Sequence, residues 1–140
     1  MSFGTEVIAF IQTELGLGTY TPNAAGGTIY LDSMPATPDV LISVYVTGGA
    51  PPETGFGVPG IQYEFPTCAI RVRGAANDRQ GPHARAILIY NALPTIQGRT
   101  LSGTKYQTLK PMQPPFIYEM DSEKRFVWTF NAIADKEPSA

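Results

Sequence analysis

Two apolar segments within residues 39–74, separated by a stretch rich in glycine and proline, most constrain how this chain can fold. The first, residues 40–47, is nearly all apolar and predicts a strand covered on both faces. The second, residues 65–73, ends in two arginines spaced i, i+2, so we expect Arg71 and Arg73 on the same strand face. Two neighbouring cations repel each other, and we therefore expect both to meet acidic groups.

The intervening residues 48–64 are predicted to form one long loop, because Gly48-Gly49 and Pro51-Pro52 open it and further glycines follow. Structureless loops of this length are uncommon in small domains and are usually functional or disordered. We expect this one to order when the protein meets a partner. The residues that we predict to contribute to such an interface are Gly48, Gly49, Pro51, Pro52, Phe56, Arg71, Arg73, Arg79 and Arg85.

The remaining pattern places helices and strands in separate runs. Apolar residues at helical spacing predict a first helix over residues 3–15, and a second helix is expected from Asn77 or Asp78 to Leu93, where Pro94 ends it. Strands are expected at 28–32, 99–109, 116–120 and 125–133, with a hairpin turn at 121–124 and a polar tail at 134–140. This order predicts an α+β fold in which two helices pack against a mostly antiparallel sheet, as a single two-layer domain over residues 1–140.

Charge is scarce and unevenly distributed. Charged residues make up 16% of the 140 residues, against about 25% in an average domain, so we expect much of the surface to meet other protein. Residues 1–70 contain six acids and no lysine or arginine, whereas all ten basic residues follow. This asymmetry favours a self-complementary particle or an ionic partner.

The sequence offers little reactive chemistry. Gly55, Gly57 and Gly60 match G-x-G-x-x-G, but the flanking prolines and the strand that follows argue against a dinucleotide site. Cys68 and His83 are the only candidates for a thiol nucleophile and its base, and we expect Cys68 to be a small buried residue instead. We expect no catalytic residue, no metal and no cofactor.

Cellular context and nucleic-acid binding are constrained only loosely. One cysteine allows no internal disulfide and fits a reducing compartment, and nothing resembles a signal peptide or a membrane-spanning helix, so we expect a soluble protein that contacts no membrane. Four arginines, at positions 71, 73, 79 and 85, lack the neighbouring aromatic residues of a nucleic-acid groove. We therefore expect no sequence-specific nucleic-acid contact and assign these arginines to ion pairs.

Several segments, taken in order, resemble the tail terminator and minor capsid (head–tail joining) family of tailed bacteriophages. The matching pieces are residues 39–46, Thr47-Gly48-Gly49 with Pro51-Pro52, Pro66-Thr67 with residues 70–74, residues 84–93, and Pro115 through Asp121, Arg125 and Asn131. The glycine-rich residues 55–60 and Gly81-Pro82 at the second helix depart from the family pattern.

The resemblance implies a structural protein of the virion with no catalytic residues. It implies a ring, typically a hexamer, that caps the tail tube and docks to the neck of the head. The implied partners are other copies of this chain, the tail tube protein and a head-closure protein of the neck. Two alternatives stay open at this point: another connector ring, such as a head-closure or adaptor protein, and a small enzyme or ligand-binding module.

Overall fold

Helices and strands follow one another in blocks along the chain. In the computed structural model, which describes residues 1–22, 26–55, 57 and 59–139, the two helices are α1 (Phe3–Thr13) and α2 (Gln80–Ala92), and a 3-10 turn, Leu93–Thr95, continues α2. The strands of this described part are β1 (Ile29–Leu31), β2 (Leu41–Thr54), β3 (Ile61–Ala76), β4 (Gln97–Leu101), β5 (Thr104–Pro111), β6 (Phe116–Met120) and β7 (Arg125–Lys136).

All of these strands join one sheet in the order β1-β2-β3-β7-β5-β4. β1 pairs in parallel with β2, and the other pairings are antiparallel. β6 and β5 pair with the same edge of β7: β6 pairs with its N-terminal half and β5 with its C-terminal half. The predicted α+β class, with a mostly antiparallel sheet and two helices packed against it, is confirmed.

The core lies between the helices and one face of the sheet. α1 supplies Val7, Ile8 and Ile11, which are fully buried, and each such side chain stabilises the fold by about 1.5–3 kcal/mol through burial. The alternate residues Cys68, Ile70 and Val72 of β3 meet this layer. Arg71 and Arg73 therefore lie on the opposite face, as their spacing predicted; we call it the outer face.

Local signals determine both helices. Ser2 and Thr5 form a reciprocal cap at the start of α1, and Gly16, at φ 64°, follows its end. Asp78 accepts a 3.0 Å hydrogen bond from the Gly81 amide at the start of α2. Both helices begin close to where the sequence placed them, and α1 ends two residues earlier than predicted.

The predicted loop over residues 48–64 is wrong. Residues 48–54 continue β2 and pair with β3, which already begins at Ile61, so only residues 55–60 connect the two strands. The prediction failed because glycine and proline interrupt the alternation of apolar and polar side chains by which a strand is predicted. The prolines are accommodated since the register shifts between Ala50 and Glu53, around Pro51-Pro52.

Two further boundaries also differ from the predictions. The single strand expected at 99–109 is a hairpin of β4 and β5, because Ser102 and Gly103 both adopt positive φ and form its two-residue turn. The expected polar tail from residue 134 is wrong for its first part, since β7 runs to Lys136 with Ala134 and Lys136 buried.

Candidate functional site: the arm and the outer face of the sheet

The β2–β3 hairpin extends beyond the rest of the sheet; we call its residues 48–64 the arm. Glu64 is the last arm residue that pairs with β7, through Lys136, and the paired strands run about 10 Å further before the turn. Every residue of β2 from 46 to 54 is exposed, so neither face of this strand of the arm is covered by the rest of the subunit. A two-stranded hairpin without further cover is marginally stable in water, which makes the arm a candidate contact element.

The predicted interface residues of this region shape the arm. Gly48 adopts φ 99° at a register shift, a conformation that favours glycine, and a Cβ on Gly49 would collide with the backbone of Phe65 and Pro66. Pro51 and Pro52 lie at the next register shift and are exposed. Phe56, also predicted to lie at the interface, is outside the described residues.

Arg73 is not available to another subunit. The residue is 3% exposed, and its guanidinium donates to the backbone carbonyls of Asp39 at 3.0 Å and of Pro35 and Pro38 at 2.7 Å each. Burial lowers its pKa, and the neighbouring Arg125 lowers it further. The expected acidic partner is absent among the described ion pairs, and carbonyls of the 35–39 segment replace it.

Arg125, which the sequence analysis matched to the family pattern without giving it a role, binds the same segment. It forms ion pairs with Asp39 at 2.9 Å and Asp121 at 2.8 Å, and it donates to the Ala36 carbonyl at 2.6 Å. Burial opposes the charge of Arg125, but its hydrogen bonds to the two carboxylates leave its pKa raised. Burial also acts against the Asp121 carboxylate, yet hydrogen bonds from Arg125 hold the pKa of Asp121 below its ordinary value.

Arg71 lies between two tyrosine rings on the outer face. Its guanidinium carbon is 4.4 Å from the ring centre of Tyr45 and 4.1 Å from that of Tyr118. Its buried Nε has no hydrogen-bond partner among the described residues, and neither has the hydroxyl of Thr129, the residue opposite Arg71 on β7. Arg71 thus contacts two aromatic rings but has no hydrogen-bond acceptor among the described residues.

Arg79 and Arg85 are engaged at α2, away from this arrangement. The guanidinium of Arg79 lies 5.1 Å from the ring centre of Trp128, whose indole N–H donates to the Arg79 carbonyl at 3.0 Å. Arg85 donates to the Arg73 carbonyl at 3.2 Å, and burial lowers its pKa. The four arginines therefore have separate local roles instead of forming one patch.

A buried polar cluster that the sequence analysis missed joins the base of the arm to α1. Lys136, fully buried, donates to Glu64 at 3.1 Å and to Ser139 at 3.0 Å, and Ser139 in turn donates to Glu6 at 3.1 Å. Glu6 also accepts a 2.8 Å hydrogen bond from Tyr106, whose pKa is raised by burial and then by this carboxylate. The sequence signal that could have indicated this cluster was the position of Glu6 among the apolar residues of α1.

β6 forms an exposed edge on the side of the sheet opposite β1. In the described part of the chain it pairs only with β7, and all five of its residues are exposed. Exposed apolar edge strands are uncommon in monomers because they invite pairing with another chain. The large apolar side chains exposed here are Phe116, Ile117, Tyr118 and Met120.

The residues weighed for catalysis are not arranged for it. Cys68 is fully buried, as predicted, and burial raises the pKa of its thiol to about 12, so it is protonated at neutral pH. The His83 ring lies against that of Trp128, with 4.2 Å between the ring centres and a tilt of 36° between the planes. Within the described ranges, no three potential metal-binding side chains cluster, and no helix has the length and apolar character needed to span a membrane.

Comparison with known proteins gives one family match. A family model described as bacteriophage tail terminator protein matches residues 13–138. No curated protein matches the chain at a significant level.

Two solved structures resemble the fold. A chain of the virion of a native gene transfer agent (GTA) particle superposes with a TM-score of 0.54 at 16% identity, covering 79% of this chain and 78% of that one. A second solved chain, known only by a sequence identifier, gives a TM-score of 0.55 at 12% identity and covers 99% of both chains. At these identities the likeness extends to the fold alone.

Proposed function

The chain belongs to the bacteriophage tail terminator family, and from that premise we propose that its copies form a ring, a hexamer, that caps the tail tube and joins it to the head. Family membership makes the protein a structural, non-enzymatic component of the virion tail, as the resemblance implied. It also separates the chain from the head-closure and adaptor proteins weighed above. Ring formation, subunit number and head joining are our proposals.

The observation that carries the proposal is the exposed arm. Residues 46–54 pair with β3 but are exposed throughout, and the apolar residues Val46 and Ile61 of this hairpin are 43% and 46% exposed. Cover from a neighbouring subunit or from the tube end would remove this surface from water. The ion pair between Glu64 and the buried Lys136 holds the base of the arm, so the arm can transmit such a contact to the sheet.

The exposed sheet edge and the uneven charge distribution suit a ring in which one surface of each subunit contacts a different surface of the next subunit. One surface is the β6 edge with its exposed apolar side chains, and the other is the arm. The acidic first half supplies the whole arm, whereas every arginine follows residue 70. Such a contact closes on itself after a fixed number of subunits if its rotation allows it, and otherwise forms an open filament.

The proposed partners are a second copy of this chain, the tail tube protein and a head-closure protein of the neck. The lumen of the ring would pass DNA without reading its sequence, and no membrane is involved. Assembly would take place in the host cytoplasm. The free protein can remain monomeric, because weak contacts between subunits close a ring more readily on a tube end that acts as a template.

Cryo-electron microscopy of virions tests the proposal directly. We expect one ring of this protein, with six subunits, between the last tube ring and the neck. Native mass spectrometry of the purified protein, alone and with isolated tails, measures whether the free chain is monomeric and whether tails recruit it. Virions in which no copy lies between tube and neck would overturn the proposal.

A further inference from the structure

We propose that Glu53 on the arm of one subunit binds Arg71 of the neighbouring subunit, between the rings of Tyr45 and Tyr118. This inference deepens the proposed function and rests on it, since it assigns the contact by which copies of the chain recognise each other. It adds a carboxylate-binding site on the outer face of the sheet.

The environment of Arg71 calls for a carboxylate. Two tyrosine rings lie close to the guanidinium carbon, and the guanidinium, which can only donate hydrogen bonds, has no acceptor among the described residues. Buried polar atoms are normally paired, yet Arg71 Nε and Thr129 Oγ1 both lack partners among the described residues. A carboxylate from outside could accept from the N–H groups of the half-buried Arg71, whereas Arg71 Nε and the Thr129 hydroxyl are themselves buried in the free subunit.

Glu53 is the one acid of residues 1–70 whose carboxylate has no partner among the described residues. Six acids lie in residues 1–70, and five of them have partners in the described structure. Glu53 is exposed, and its side chain makes no hydrogen bond or ion pair to a described residue. The five engaged acids and their partners are Glu6 with Tyr106, Glu14 with Arg99, Asp32 with the Val46 amide, Asp39 with Arg125, and Glu64 with Lys136.

Position makes this contact possible between subunits and impossible within one. Glu53 pairs with Tyr63 across the hairpin, and Tyr63 lies eight residues before Arg71 on β3, about 26 Å along the strand. No side chains bridge that distance. The arm reaches past the end of β7, so Glu53 is presented outward, whereas Arg71 lies beside the exposed β6 edge.

Cross-linking in assembled tails tests the proximity. We would introduce E53C and R71C into one chain and treat tails with a short bismaleimide; Cys68 is fully buried and does not react. Because the two cysteines replace the charge pair itself, fewer tails should carry a ring, and in those that do we expect a ladder of covalent oligomers up to the closed ring. The matched control combines E53C with K105C, a cysteine at an exposed cation of β5, and should give no ladder.

Charge exchange tests the energetics. Reversing one charge, R71E or E53R, should lower the yield of ring-bearing tails about tenfold or more, and the double variant should restore most of it. K105E serves as the control reversal and should leave the yield unchanged.

The outcomes separate this inference from the proposed function. Rings that form in tails without a ladder, or a double variant no better than the single ones, would overturn the Glu53–Arg71 contact and leave the ring standing. Unmodified tails that carry no ring would overturn the proposed function itself.

Discussion

Arg73 and Arg71 lie two residues apart on the same face of β3, yet only Arg73 is hydrogen-bonded within its own subunit. Arg73 donates to carbonyls of the 35–39 segment, whereas Arg71 contacts two tyrosine rings and no acceptor in the described structure. Their spacing predicted that both arginines would meet acidic groups, but in the structure the two have different surroundings. Arg73 maintains the subunit, and Arg71 is the residue for which we propose a contact with another subunit.

Arg73→Met should destabilise the isolated protein by about 2–4 kcal/mol, because it strands buried carbonyls that the guanidinium now satisfies. Arg71→Gln should cost no more than about 2 kcal/mol, since it removes two cation–π contacts. Urea unfolding of both variants at neutral pH checks the difference. Equal loss of stability in the two variants would contradict the division of roles.

The Glu64–Lys136 pair should respond asymmetrically to substitution. Lys136 has a side chain that is 1% exposed, whereas that of Glu64 is 39% exposed. Glu64→Ala should cost about 2–4 kcal/mol because it leaves a buried ammonium without its counter-charge, and Lys136→Met should cost less, because the freed carboxylate can be hydrated. Thermal unfolding of the two variants measures this order, and a larger loss for Lys136→Met would refute it.

Asp121 should make the fold sensitive to acid. Its folded-state pKa lies below the ordinary value of 3.8, so its contribution is fully present above about pH 4 and is lost as pH falls through the folded pKa. Asp121→Asn should lower stability by about 1–3 kcal/mol at pH 7, and this difference should shrink below pH 4. Denaturant unfolding between pH 2 and pH 7 provides the test; a difference that stays constant with pH would exclude this linkage.

Deleting residues 52–60 should leave the subunit folded and abolish its assembly onto tails. The deletion leaves Pro51 and residues 61–64 as a short connection between Ala50 and Phe65, which pair in the intact hairpin, and it spares the Glu64–Lys136 pair. Circular dichroism and thermal unfolding report the fold, and joining of tails to heads reports the function. Normal joining by the deleted protein would show that the arm tip has no docking role.

Local sequence was sufficient for the helices and for the regular strands. α1 could be predicted because apolar residues recur at helical spacing behind a Ser-Thr cap, and the turn at residues 121–124 formed where polar residues separate two strands. Spacing alone also placed Arg71 and Arg73 on one face, because side chains alternate along a strand whatever the strand pairs with.

Tertiary structure decided the arm, the partners of the arginines and the burial of Lys136. Gly48, Gly49 and the two prolines carry no strand signal of their own, and they extend β2 only because β3 offers its backbone across the hairpin. Arg73 meets carbonyls 34–38 residues away in the chain, and Lys136 meets a carboxylate 72 residues away. Sequence determines which groups need a partner, but which partner each one meets depends on contacts between distant segments, and these exist only once the sheet has formed.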